Sequence, residues 1–150
     1  MPQSLARLHT HLVFSTKNRE PWITNNVRDA LHAYMSTILA DRSCEHVYIN
    51  SVGDHVHILF DLPRTVAVCD IVEDVKKYSS KWIKTQGNEF AAFAWQGGYG
   101  VFSVSESKMD DTHKYIAGQR EHHRVKTFQE EYRNFLERHG ISYDERYVWD

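Results

Sequence analysis

The stretch Asp54-His55-Val56-His57-Ile58-Leu59-Phe60 sets two imidazoles one residue apart, ahead of an apolar run. In an extended strand, residues i and i+2 share a face about 7 Å apart, within reach of one metal ion. A second stretch, Leu8 to Ser15, repeats the arrangement with His9 and His11. Val56, Ile58 and Phe60 form the apolar set of the first stretch, and Leu8, Leu12 and Phe14 that of the second. With each apolar set turned into the core, His9, His11, His55 and His57 emerge together on the opposite face. One His-x-His on a half-exposed strand is commonly plain polar surface. Two such pairs on one face strengthen the case for a metal. A four-histidine zinc site is one version of it, to be decided by strand register.

A second constellation lies in Tyr115 to His123, "YIAGQREHH". On a helix, Tyr115 and Gln119 sit one above the other on the same face. A surface tyrosine beside a surface glutamine, or a tyrosine packed in the core, would give the same spacing. The neighbourhood is basic: Lys114, Arg120, Arg124 and Lys126 are accompanied only by Glu121. Lys76, Lys77, Lys81 and Lys84 have no acid among them, whereas the tail from Gln129 onward is acidic. A run of charge is usually a solvated face. Beside a metal, Lys76, Lys77, Lys81, Lys84, Arg120 and Arg124 become candidates for a phosphate-binding surface. Trp95, Tyr99 and Phe102 are candidate stacking planes for bases, with burial in the core as the competing fate.

These residues need a scaffold, and the chain is long enough for one domain, 1–150, with a real core. Apolar residues make up 41% and charged residues 25%, with a net charge of -2, so the molecule as a whole is not a polycation. Cys44 and Cys69 show no metal-ligand spacing, which suggests a reducing, cytoplasmic setting. No apolar run has the length of a membrane span, and the N-terminus lacks the pattern of a signal peptide. Alternation predicts strands over Leu8–Ser15, His46–Val52, His55–Phe60 and Tyr99–Ser105. Helical stripes cover Val27–Asp41, Val66–Gln86, Lys108–His123 and Thr127–His139, with Asn25 or Asn26 capping the first. The order β-α-β-β-α-β-α-α fits an α+β, ferredoxin-like (split βαβ) antiparallel sheet with helices on one face plus C-terminal helices. The first and third strands become central neighbours, and the other sheet face stays open as the floor of a site.

The segments "HLVFSTKNREP", "DHVHILF", "WQGGYGVFSVS", "YIAGQREHH" and "HGISYD" occur in this order. In them the chain resembles the small single-tyrosine HUH transposases of the insertion-sequence 200/605 type, from about Leu8 to Tyr147. The resemblance implies metal ligands at His55, His57 and Gln119, a nucleophile at Tyr115, and Mg2+ or Mn2+ as cofactor. It implies a homodimer in which the tyrosine helix of one subunit completes the site of the other. The expected substrate is single-stranded DNA with hairpin ends, in a bacterial or archaeal cytoplasm, cut and rejoined through a 5′-phosphotyrosine. His55, His57 and Gln119 would be an all-neutral ligand set. The "SESKMDD" loop is the expected hinge of the tyrosine helix. Gly118 departs from the family, where asparagine often precedes the glutamine, and costs a helix interior about 1 kcal/mol. His9 and His11 are left as supports at the border of the site. Competing readings are a domesticated palindrome-processing nuclease, a non-catalytic single-strand-binding module, and a metal-binding regulator that needs no Tyr115.

Overall fold

A computed structural model describes residues 2–150. Four strands form one antiparallel sheet: β1 His9–Ser15, β2 Glu45–Ser51, β3 His55–Asp61 and β4 Gly100–Ser103, in the order β2-β3-β1-β4. This is the split βαβ arrangement, with β1 and β3 paired at the centre. Opposed residues include His11 with Leu59, Val13 with His57 and Ser15 with His55. Directly opposed residues share a face, so this register settles which histidines look the same way.

Alternation decides where each face goes. Leu12, Phe14, Val56, Ile58 and Phe60 are buried on one side, against α1 (Asn25–Asp41) and α2 (Val68–Ile83). Helix α1 contributes Val27, Leu31, Met35 and Leu39, and α2 contributes Ile71, Val72, Val75 and Ile83. Full burial of each such aliphatic side chain stabilises the fold by roughly 1.5–3 kcal/mol. Thr24, rather than Asn25 or Asn26, occupies the capping position of α1, in extended geometry and without a side-chain bond to the helix backbone.

The other face is not open. Helix α5 (Phe128–Arg138) lies across it and packs Phe128, Tyr132, Phe135 and Leu136 against Val13 and Phe102. The amphipathic stripe of α5 has its own apolar surface to bury, and the second sheet face is the apolar surface within reach. Thr127 caps α5 by accepting the Glu130 backbone N–H at 3.2 Å.

The predicted helix over Lys108–His123 is divided. Helix α3 runs Met109–Ala117 and a single turn, α4, runs Gln119–His122, with Gly118 between them at φ -87, ψ 12. That conformation is open to any residue, and an ideal Cβ on Gly118 would find its nearest neighbour, the Lys114 carbonyl, at 3.4 Å. No described helix is long and apolar enough to cross a membrane.

Close approach, not backbone freedom, requires glycine at position 100. A Cβ there would lie 2.6 Å from Tyr132 Cε2, so β4 and α5 meet only because the side chain is missing. Gly100→Ala should therefore push α5 from the sheet and lower stability by about 1–3 kcal/mol, the usual cost of overpacking. Chemical denaturation of the two proteins measures it; equal midpoints would mean that α5 is not held by this contact.

Candidate active site

The β1–β3 register turns His11, His55 and His57 toward α5, and all three are buried. Tyr115 comes from α3 and Gln119 opens α4, so the chain brings its own tyrosine and glutamine to its own histidines. Gln119 is fully buried, with Oε1 3.3 Å from His55 Nε2. Its Nε2 points back to the Tyr115 carbonyl at 3.4 Å, tying the two residues together across the Gly118 break. The rings of His57 and Tyr115 meet edge-on, with centroids 5.9 Å apart.

At the centre of this group stands Glu131, from the first turn of α5, only 2% exposed. Its Oε1 lies 2.9 Å from His57 Nε2 and 3.4 Å from His55 Nε2. Its Oε2 accepts the Tyr115 hydroxyl and lies 3.1 Å from His123 Nε2 and 3.3 Å from His122 Nε2. The potential ligand atoms of His55, His57, His123 and Glu131 all fall within 4.8 Å of one another. Imidazole nitrogens with one carboxylate and one amide oxygen suit a divalent transition ion, so the residues present fit a metal. A carboxylate, Glu131, thus stands among the neutral His55, His57 and Gln119 side chains.

Second contacts orient the rings. His55 Nδ1 is 2.7 Å from Asp54 Oδ1, and His57 Nδ1 is 2.8 Å from His11 Nε2. Such partners leave the opposite nitrogen, Nε2, aimed into the cluster. Burial works against charge on His55, but hydrogen bonds with Asp54 and Glu131 outweigh it and push its pKa up to about 9. Burial lowers the pKa of His57, partly offset by Glu131, and holds His11 well below the ordinary value. Burial also opposes charge on Glu131, yet hydrogen bonds from His123, His55 and His57 keep its carboxyl well below the usual carboxylate range. Burial, together with the Glu131 charge, drives the Tyr115 phenol well above its usual value. The tyrosine is thus held as a protonated donor aimed at a carboxylate.

The remaining candidates are dispersed. His9 shares the face but sits at the far end of the strand pair, between Asp61 and Glu106, while His46 Nδ1 reaches the same Asp61 at 2.8 Å. Lys76 is turned inward: its Nζ donates to the carbonyls of Gln96 at 2.8 Å and Gly98 at 2.6 Å, and lies over the rings of Phe14 and Tyr99. Lys77, Lys81 and Lys84 are exposed, but α2 covers the sheet face away from the histidines. Arg120 and Arg124 are exposed; Arg120 Nη2 reaches Asn25 Oδ1 at 3.4 Å and Arg124 pairs with Glu121 at 2.9 Å. Of the three aromatic candidates, Trp95 is in the main core and Tyr99 packs against it. Phe102 alone reaches the site side, stacked on Phe135. It lines a cavity of about 500 Å³ that also touches Tyr115, Lys108, Arg138 and His139.

The geometry has a counterpart among known proteins. The family model described as "Transposase IS200 like" matches residues 4–119. The chain belongs to the IS200-like transposase family. The ISDra2 transposase TnpA of Deinococcus radiodurans is 25% identical over 118 residues, covering 75% of this chain and 84% of that protein. A crystal structure of a candidate transposase from Deinococcus radiodurans R1 superposes with a TM-score of 0.62 at 24% identity, covering 79% of this chain and 98% of the other. A REP-associated tyrosine transposase bound to a REP hairpin superposes with a TM-score of 0.59 at 15% identity, covering 82% and 73%. These likenesses to solved structures bear on the fold.

The IS200-like match ends at Gln119, and His122, His123 and Glu131 lie beyond it. Glu131 nevertheless has a signal in the sequence. It sits within the stripe Phe128, Tyr132, Phe135, Leu136, where an acid among buried positions needs a partner.

Asp54 is the residue whose effect on this transposase site is easiest to isolate. In the metal-free protein, Asp54→Asn should bring the His55 pKa down from about 9 toward or below its ordinary value, read by NMR titration of the imidazole. A folded-state pKa above the unfolded one near 6.5 stabilises the fold fully at low pH. That contribution disappears as pH rises through about 9, so the variant should lose most below that pH. An unchanged His55 pKa would assign the proton to Glu131 alone.

Proposed function

We propose that this chain cuts and rejoins single-stranded DNA through a covalent 5′-phosphotyrosine on Tyr115. The observation that carries the reading is the Tyr115 hydroxyl, held beside His57 and hydrogen-bonded into the histidine–carboxylate cluster of the same chain. Family membership supports strand transfer as the class of chemistry.

Tyr115 Oη attacks the scissile phosphorus, and its proton is already directed at Glu131 Oε2. The bond from phosphorus to the 3′-oxygen breaks and leaves a free 3′-hydroxyl, while the 5′-phosphate stays on the tyrosine. A later 3′-hydroxyl reverses the step and joins two strands, with no nucleotide cofactor required. His55, His57 and Gln119 would hold Mg2+ or Mn2+, which when bound neutralises charge on the phosphate and aligns it for attack. The exposed Arg120, in α4, and Arg124, just beyond it, suit the incoming phosphate backbone.

Hairpin-marked ends are the proposed substrate, in keeping with the hairpin-bound transposase that shares the fold. The family resemblance suggests a homodimer with sites completed in trans. The contacts of Tyr115 and Gln119 with the histidine–carboxylate cluster of their own chain support a reading in which one chain carries one whole site.

The test is incubation with labelled single-stranded hairpin DNA and Mn2+, followed by a denaturing gel. A covalent adduct is expected with the natural protein, none with Tyr115→Phe, and a loss of at least a hundredfold with His57→Ala. An adduct that persists in Tyr115→Phe, or none with authentic element ends, overturns the reading.

A further inference from the structure

Glu131 belongs to a helix that the matched family segment does not include, yet it faces both halves of the site. Its two oxygens are divided between them. Oε1 lies 2.9 Å from His57 Nε2 and 3.4 Å from His55 Nε2. Oε2 receives the Tyr115 hydroxyl, with His123 Nε2 at 3.1 Å.

These spacings have a meaning for a cation. Two ligands each about 2.1 Å from one ion are about 3.0 Å apart at a right angle and about 3.4 Å apart at the tetrahedral angle. The separations of Glu131 Oε1 from His57 Nε2 and His55 Nε2 fall on those edges, and His123 Nε2 completes a group whose ligand atoms all lie within 4.8 Å of one another. Hydrogen-bonded groups spaced this way can exchange their shared protons for an ion with little rearrangement.

We propose that Glu131 is itself a metal ligand through Oε1, beside His55, His57 and His123, and that its Oε2 simultaneously positions the Tyr115 hydroxyl against that ion. The inference rests on the proposed function for its metal and its nucleophile, and adds the group that links them. One rigid carboxylate then fixes the distance from ion to nucleophile, which two separate side chains on α3 and β3 could not do alone. It also changes the metal preference. Three imidazoles and a carboxylate favour Mn2+ or Zn2+ over Mg2+, and hold the ion without DNA.

The experiment uses the full chain, stripped of metal by chelation and titrated with Mn2+, with free ion read from its electron paramagnetic resonance signal. One tightly held Mn2+ per chain is expected, with affinity at least tenfold weaker in Glu131→Gln and unchanged in Tyr115→Phe. Affinity in Glu131→Gln within twofold of the natural protein overturns the proposal. Should that variant fail to fold by circular dichroism, the natural protein labelled with 13C-glutamate decides. A shift in a glutamate carboxylate stretch on adding Mn2+ supports ligation, and an unshifted band overturns it. The positioning role has its own readout: at saturating Mn2+, folded Glu131→Gln should form the tyrosine adduct at least tenfold more slowly while hairpin affinity stays within twofold. An adduct rate equal to the natural protein's removes that role. Metal held through Glu131 with no adduct on any hairpin DNA would leave the ligand assignment standing and sink the strand-transfer reading.

Discussion

A carboxylate buried in a largely apolar setting is tolerated only when its charge is met. Glu131 is such a group, and the second face of the sheet is organised around meeting it. His55 and His57 approach from β3, His122 and His123 from the end of α4, and Tyr115 from α3. Three elements thus converge on one side chain carried by a fourth. Helix α5 can lie on the sheet because the charge it carries inward has partners, and those partners are ordered because α5 lies there. Removing the carboxylate would leave protonated His55 with Asp54 alone; removing the histidines would strand the charge.

Much of the frame was legible from residue patterns. Period-two alternation identified β1 and β3 and placed their histidines on a common face, because a strand offers only two faces and the core claims one. The order of elements then implied the central pairing. Glu131 was hidden for a different reason. Counted as charge, it is one acid in an acidic tail; its meaning lies in its phase on α5, among Phe128, Tyr132 and Phe135, and in which surface that helix chooses. Nothing local to residue 131 says that the chosen surface carries histidines.

Lys76 shows the converse error of counting charge without phase. Along the sequence it is one of four lysines with no acid between them. In the fold its stem runs inward between Val75 and Ser79, both buried, and its ammonium is spent on the carbonyls of Gln96 and Gly98. Burial lowers its pKa to about 8, while the carbonyls and the faces of Phe14 and Tyr99 supply what water would have given. It fastens the loop ahead of β4 to α2. The cations that line cavities together with the tyrosine are Lys108, Lys126 and Arg138.

The interruption at Gly118 bears on how the site could move. A continuous helix would carry Tyr115 and Gln119 as one lever, so that swinging the tyrosine away would drag the glutamine with it. With the rod divided at residue 118, the piece bearing Tyr115 ends one residue before the piece bearing Gln119 begins. Gly118 itself keeps helical bonds on both sides, donating to the Lys114 carbonyl and accepting from the His122 N–H, each at 3.0 Å, and the Gln119 side chain adds a longer contact to the Tyr115 carbonyl. Rotation about residue 118 is thus the one backbone adjustment that would move the tyrosine while the buried glutamine kept its seat on the sheet.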